Sequence, residues 1–253
     1  MSDINTNPTT RRRGFIGLLG GSLAALGLTT LAAPLRLNAQ TKPNATPTPA
    51  PAKPHGNEPK SEADMWFDKV KGKHRVVFDA TRPNDVLPFV WPKVFLLTNA
   101  ATGSPETDCG VVVILRHDAI CYAFQDTIWS KYNFGDVFKA HDMSPVFQAA
   151  DAATATKTRN PFYKTKEGDF KVPGVGAVNI GIPDLMKSGV MFGVCNAAMT
   201  VFSAVMAEQM KMTQEDVMKE WKAGLIPGIQ VMPSGVWALG RAKEHDCAYV
   251  FAG

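Results

Sequence analysis

The sequence predicts an α/β domain built on a parallel sheet with helices packed on its faces. Three observations predict it. From about residue 62 onward, short apolar runs alternate with longer amphipathic ones. One of the short runs, Val111-Val112-Val113-Ile114-Leu115, is apolar at successive positions, which requires burial on both faces and therefore a central parallel strand. The composition, 45% hydrophobic and 20% charged over 253 residues, supplies the core of one packed domain with chain to spare.

The chain does not begin with that domain. Residues 1 to 39 read as an export signal, with a polar start, an Arg cluster, an apolar run from Phe15 to Ala33 and a small-residue exit. Within Arg11-Arg12-Arg13-Gly14-Phe15-Ile16, the Arg12-Arg13 pair followed by Phe15 and Ile16 resembles the twin-arginine translocation motif. Gly17, Gly20, Gly21, Ser22 and Gly27 interrupt the apolar run and make it weaker than a spanning helix. Cleavage is expected after Ala39, because a cut after Ala33 would place Pro34 at the next position. An uncleaved membrane anchor is the alternative. Export by this route places a folded protein in the periplasm and makes membrane contact transient. Residues 40 to 61 carry Pro43, Pro47, Pro49, Pro51, Pro54 and Pro59 and no large apolar side chain, so they read as a disordered Pro/Ala/Thr-rich linker.

The domain then spans residues 62 to 253. Five strands are expected, Arg75 to Asp79, Val111 to Leu115, Val190 to Val194, Ile229 to Met232 and Ala248 to Phe251. Helices are expected at Asn84 to Ala101, Ile120 to Tyr132, Asn196 to Met210, Thr213 to Ala223 and Gly235 to His245, with Thr213 and Asp216 forming a capping-box start. Residues 133 to 183 form a less regular insertion, expected to be a lid or an oligomer contact. Gly174 and Gly176 make no dinucleotide fingerprint, because no strand precedes them and no third glycine opens a helix. A phosphate loop, a Cys-x-x-Cys pair, a haem attachment site and a zinc-finger spacing are all missing from the sequence. No cofactor and no metal are therefore assigned. The charge of +4 falls to +1 without residues 1 to 39, at 23 basic against 22 acidic residues, which removes the electrostatic case for nucleic acid.

In an open parallel sheet, ligands bind outside the carboxyl ends of the strands. Those ends carry Thr81 and Arg82, then Arg116, His117 and Asp118, then Cys195 and Asn196, then Pro233 and Ser234. Cys195 closes a strand and opens a helix, where the free amides and partial positive charge favour a thiolate nucleophile. The competing reading is a buried inert cysteine. Arg116 and His117 are placed to shape its surroundings, and Asn196, Asp118 and Ser234 to hold a ligand. A soft-metal trio of His117, Cys121 and Cys195 lacks a fourth ligand, which makes a satisfied histidine and a core cysteine the simpler reading. Two disulfides are conceivable, Cys109 with Cys247 or Cys121 with Cys195. Met199, Met206, Met210 and Met212 suit either copper handling or core filling.

Two segments carry a family resemblance. Gly189-Val190-Met191-Phe192-Gly193-Val194-Cys195-Asn196-Ala197-Ala198-Met199, together with Pro233-Ser234-Gly235-Val236-Trp237-Ala238-Leu239 running on to Cys247-Ala248-Tyr249-Val250-Phe251, resembles the C-terminal half of DsrE/DsrF-like sulfur-relay proteins. The resemblance covers roughly Val111 to Gly253. It implies a three-layer α/β/α domain with a five-stranded parallel sheet, assembly as a homo-oligomer such as a trimer or hexamer, and persulfide formation on the cysteine matching Cys195. A sulfur donor or acceptor protein is the implied partner. The export signal, the N-terminal extension and the insertion depart from the family's relay members and disfavour cytoplasmic sulfur relay. The function expected is thus an exported sulfane-sulfur or thiol-redox carrier; the alternative is an oligomeric module that binds a small ligand or metal at the same edge without covalent chemistry.

Overall fold

The computed structural model describes residues 60–253 other than Asp142 and Ser144. The export signal expected at 1 to 39 and nearly all of the linker expected at 40 to 61 lie outside the described residues. Ser61 caps α1 (Glu62–Phe67): its hydroxyl accepts from the Asp64 amide while the Asp64 carboxylate accepts from the Ser61 amide, a reciprocal capping box.

Five parallel strands follow, β1 (His74–Ala80), β2 (Cys109–Leu115), β5 (Met191–Cys195), β6 (Gln230–Met232) and β7 (Ala248–Phe251). They lie in the order β6-β5-β2-β1-β7, and a separate antiparallel hairpin joins β3 (Lys171–Val172) to β4 (Gly176–Ala177). β2, at the centre, is buried at every position from Gly110 to Leu115, as its unbroken apolar run requires. Alternation along the strands divides the core. Val76, Phe78, Val111, Val113, Leu115, Phe192 and Val194 face one side, where α2 (Leu87–Ala101), α7 (Asn196–Met210) and α8 (Gln214–Ala223) pack. Val77, Val112, Ile114 and Met232 face the other, against α1 and α9 (Gly235–Glu244). The result is a three-layer α/β/α arrangement on a five-stranded parallel sheet, as expected.

Local signals set most boundaries. The Thr213 hydroxyl accepts from the Asp216 amide at the start of α8, and Ser234 caps α9 in the same way through Trp237. α2 starts at Leu87, three residues after the expected Asn84, with Pro88 in its first turn where a missing N–H costs nothing. The single helix expected from Ile120 to Tyr132 is instead a 3-10 stretch (His117–Ala123) followed by a short α3 (Asp126–Lys131). Long-range partners take the carbonyls that a continuous helix would use. The Asn160 side-chain amide donates to the carbonyls of Tyr122 and Phe124 at 2.8 Å each, and the Ile226 amide donates to Ala123 at 2.9 Å.

Asn160 also explains the insertion. It is fully buried, and its own Oδ1 accepts from the Phe162 amide at 3.0 Å. Around it, Phe134 of α4 (Phe134–Val137), Ala155 of α5 (Ala152–Thr158), Phe162 in the turn beyond α5 and Phe170 just before β3 join the main core; the Phe162 ring lies 3.8 Å from that of Phe89 on α2 and stacks on Phe170 at 5.2 Å. The insertion, which leads into α6 (Ile182–Lys187), is built into the sheet's cover by the same aromatic packing that holds the helices.

Candidate functional site

The carboxyl ends of the strands bring three predicted positions close together. Leu115 of β2 is the register partner of Val194 of β5, so Arg116 and Cys195 are the next residues on adjacent strands. Cys195 in turn pairs with Met232, after which β6 runs into Pro233 and Ser234. α7 and α9, of 15 and 10 residues, therefore start beside each other with their positive ends at this edge.

Arg116 is held by a residue that sequence reading passed over. Asp79, only 1% exposed, accepts from Arg116 Nε at 2.6 Å and from Nη2 at 2.9 Å, a two-pronged pair, and takes a third hydrogen bond from the Tyr249 hydroxyl at 2.8 Å. The Asp79 hydrogen bonds raise the guanidinium above its usual range, and the nearby Cys195 sulfur acts in the same direction. Tyr249 is likewise pushed up, first by its bond to Asp79, and stays a proton donor. Gly235 completes the clamp. A Cβ there would lie 2.5 Å from Arg116 Cβ and 2.7 Å from Cδ, so only glycine lets the arginine lie against the first turn of α9.

Cys195 caps α7. Its Sγ accepts from the Ala198 amide at 3.3 Å, and the residue is 6% exposed. The other cysteines are also free thiols, in different surroundings. Cys121 is fully buried, and burial pushes its thiol well up, which opposes a ready thiolate and a redox partnership with Cys195. Cys109 sits opposite His74 on one side of β1, and Cys247 precedes Ala248, the partner of Val76, on the other side. Two strand spacings, roughly 10 Å, separate them, beyond the roughly 7 Å that a disulfide can span.

His117 lies at the outer surface of this edge. It adopts a left-handed backbone with φ of 50°, its side chain is 65% exposed, and its ring contacts Phe202 on α7 at 5.9 Å. Its Nδ1 lies 3.1 Å from the Asp118 carboxylate, an ion-pair distance without hydrogen-bond alignment. Burial raises the Asp118 carboxyl, opposed by His117. The Ser234 hydroxyl is engaged in its cap. Asn196 lines a cleft of about 340 Å³ with Ser61, Lys222, Gln230 and Pro233, and its Oδ1 is buried without a partner. A second cleft of similar volume, lined by Lys69, Cys109 and Lys187, lies at the amino ends of β2 and β5, a strand length from Cys195. Among the described residues, no group of three His, Cys, Asp or Glu side chains could hold a metal, and Met199 and Met206 are buried in the core.

Neither family models nor curated proteins match the chain. The one sequence signal for the missing residues was Asp79, a lone carboxylate in the apolar strand Val76-Val77-Phe78-Asp79-Ala80. Tyr249 carried no comparable mark.

Proposed function

We propose that this chain is an exported, DsrE-like sulfane-sulfur carrier in which Cys195 forms the persulfide. The observation that supports the reading is the placement of Cys195 as the cap of α7, in register beside an arginine that Asp79 fixes. Arg116 is the catalytic neighbour, since it supplies positive charge beside the Cys195 thiolate and the R–S⁻ that leaves. His117, at the outer rim, serves approach and not bond making. In the transfer step the Cys195 thiolate attacks the outer sulfur of a donor persulfide, R–S–SH. The new Cys195–S bond forms as the donor S–S bond breaks, the donor leaves as R–S⁻, and a neutral sulfur atom moves without net oxidation. The donor and the eventual acceptor are partner proteins or small thiols reached in the periplasm.

The test is peptide mapping of the mature protein, purified without reductant, treated with polysulfide and then with a thiol-blocking reagent. A mass gain of one or more sulfur atoms on Cys195, abolished in Cys195→Ser with the circular dichroism unchanged, is expected. Equal loading of Cys195→Ser would refute the assignment. The mass of the recovered chain also reports whether residues 1 to 39 have been removed.

A second reading is favoured by the cleft beside Asn196: a non-covalent module that binds a small polar ligand there. An inert Cys195 together with a thermal shift on adding small anions supports it.

A further inference from the structure

Among the described residues, β7 lies at the edge of the sheet. Its sequence Ala248-Tyr249-Val250-Phe251 contains no charge and no proline, and all four residues are exposed, Tyr249 at 57%, Val250 at 37% and Phe251 at 55%. Within the described residues, β1 is the strand it pairs with. The Ala252 amide donates to the Asp79 carbonyl, so alternation turns the backbone groups of Val250 toward β1 and those of Tyr249 and Phe251 outward. The same flank bears Trp91 of α2, 40% exposed and one turn before Phe95, whose ring is 6.4 Å from Phe78, the register partner of Val250. Aromatic side chains carry roughly 150–250 Å² each, so these fractions leave roughly 400 Å² of apolar surface along one edge. A stable interface buries about 800 Å² per partner, a little over half of it apolar.

We propose that a second copy of this chain covers this edge, β7 pairing antiparallel with its twofold mate to give a continuous ten-stranded sheet. The strand is complementary to itself in one register. With Val250 on the axis, Tyr249 faces Phe251 of the partner subunit and the outward amides and carbonyls of both meet as hydrogen-bonded pairs. Apolar side chains then match on both faces of the joined sheet, and no charge is buried. This surface is independent of the chemistry at Cys195, although Tyr249 also donates to Asp79, so the interface borders the arginine clamp.

The experiment is sedimentation equilibrium on the mature chain and on Phe251→Lys, Val250→Lys and Val201→Lys, the last at a 61% exposed position on α7. The parent and Val201→Lys are expected at twice the chain mass, a twofold dimer in place of the trimer or hexamer that the family resemblance implies, and both β7 variants are expected to dissociate at least 100-fold more readily with unchanged circular dichroism. Val250→Cys supplies a second readout, because non-hydrogen-bonded antiparallel partners approach to about 4.5 Å between Cα atoms, within disulfide reach. Oxidation should convert it to a covalent dimer bridged through position 250, identified by peptide mapping. A monomeric parent at 100-fold dilution steps up to high concentration, or a dimer indifferent to both lysines and unbridged at position 250, overturns the proposal.

Discussion

Asp79→Ala removes the anchor of Arg116 and tests whether the clamp is a structural unit. Asp79 is 1% exposed and the Arg116 side chain 27% exposed, so the carboxylate is buried while water still reaches part of the guanidinium. Deleting one partner of a fully buried pair costs about 3–5 kcal/mol. The partial exposure of Arg116 lowers this, and the hydrogen bond lost by Tyr249 adds to it, giving about 3 kcal/mol. For a domain of this size each kcal/mol moves Tm by about 2–4 °C, so the variant should melt about 6–12 °C below the parent by calorimetry. Replacing both partners, Asp79→Leu with Arg116→Met, should cost less than the sum of the single changes, because no charge is then left buried and unpaired. A fall of less than about 2 °C, or single and double changes that simply add, would show that Arg116 is solvated on its own and that the geometry around Cys195 does not depend on Asp79.

Two further outcomes follow from neighbouring residues. Burial raises the Asp118 carboxyl above the ordinary 3.8 of an aspartate, so the folded state binds the proton more tightly than the unfolded one and stability falls as pH rises through this range; Asp118→Asn should therefore be more stable than the parent at pH 7, with the gain vanishing below 3.8 in denaturant titrations, and a gain of equal size at both ends refutes the assignment. Gly235→Ala places a methyl against Arg116 at 2.5 Å and should cost about 1–3 kcal/mol through overpacking, slowing sulfur loading of Cys195 by displacing the guanidinium; unchanged Tm and loading rate would mean that the arginine has room to move.

The sheet was legible because burial on both faces writes itself as unbroken apolar runs, as in β2, whereas β7 is equally apolar although all four of its residues are exposed at the edge. Helices with side-chain caps were equally clear: α7 spans the expected residues, and α8 starts at its Thr213 cap. The stretch after Arg116 was not, because its conformation is decided by carbonyl partners at Asn160 and Ile226, dozens of residues away. The candidate site divides in the same way. Arg116 and Cys195 follow from strand ends alone, while the Asp79 that holds Arg116 and the Tyr249 that bonds Asp79 depend on which strands become neighbours, and sequence order does not reveal that β7 returns to lie beside β1. His117 stands at the strand end where it was expected, but its left-handed backbone, which no sequence pattern announces, leaves its side chain 65% exposed.

That return of β7 to β1 also orders events during folding. Asp79 and Arg116 are 37 residues apart, whereas Asp79 and Tyr249 are separated by 170, so loop-closure entropy favours the first contact and delays the second. Until β7 arrives, the outer edge of β1 presents Val76, Val77 and Phe78 unpaired. The strand best suited to that edge is β7 from any copy, its own or a neighbour's. At high concentration during refolding, the chain is thus exposed to strand exchange at its last step, and the Tyr249 bond to Asp79 forms just as well when the tyrosine comes from another molecule.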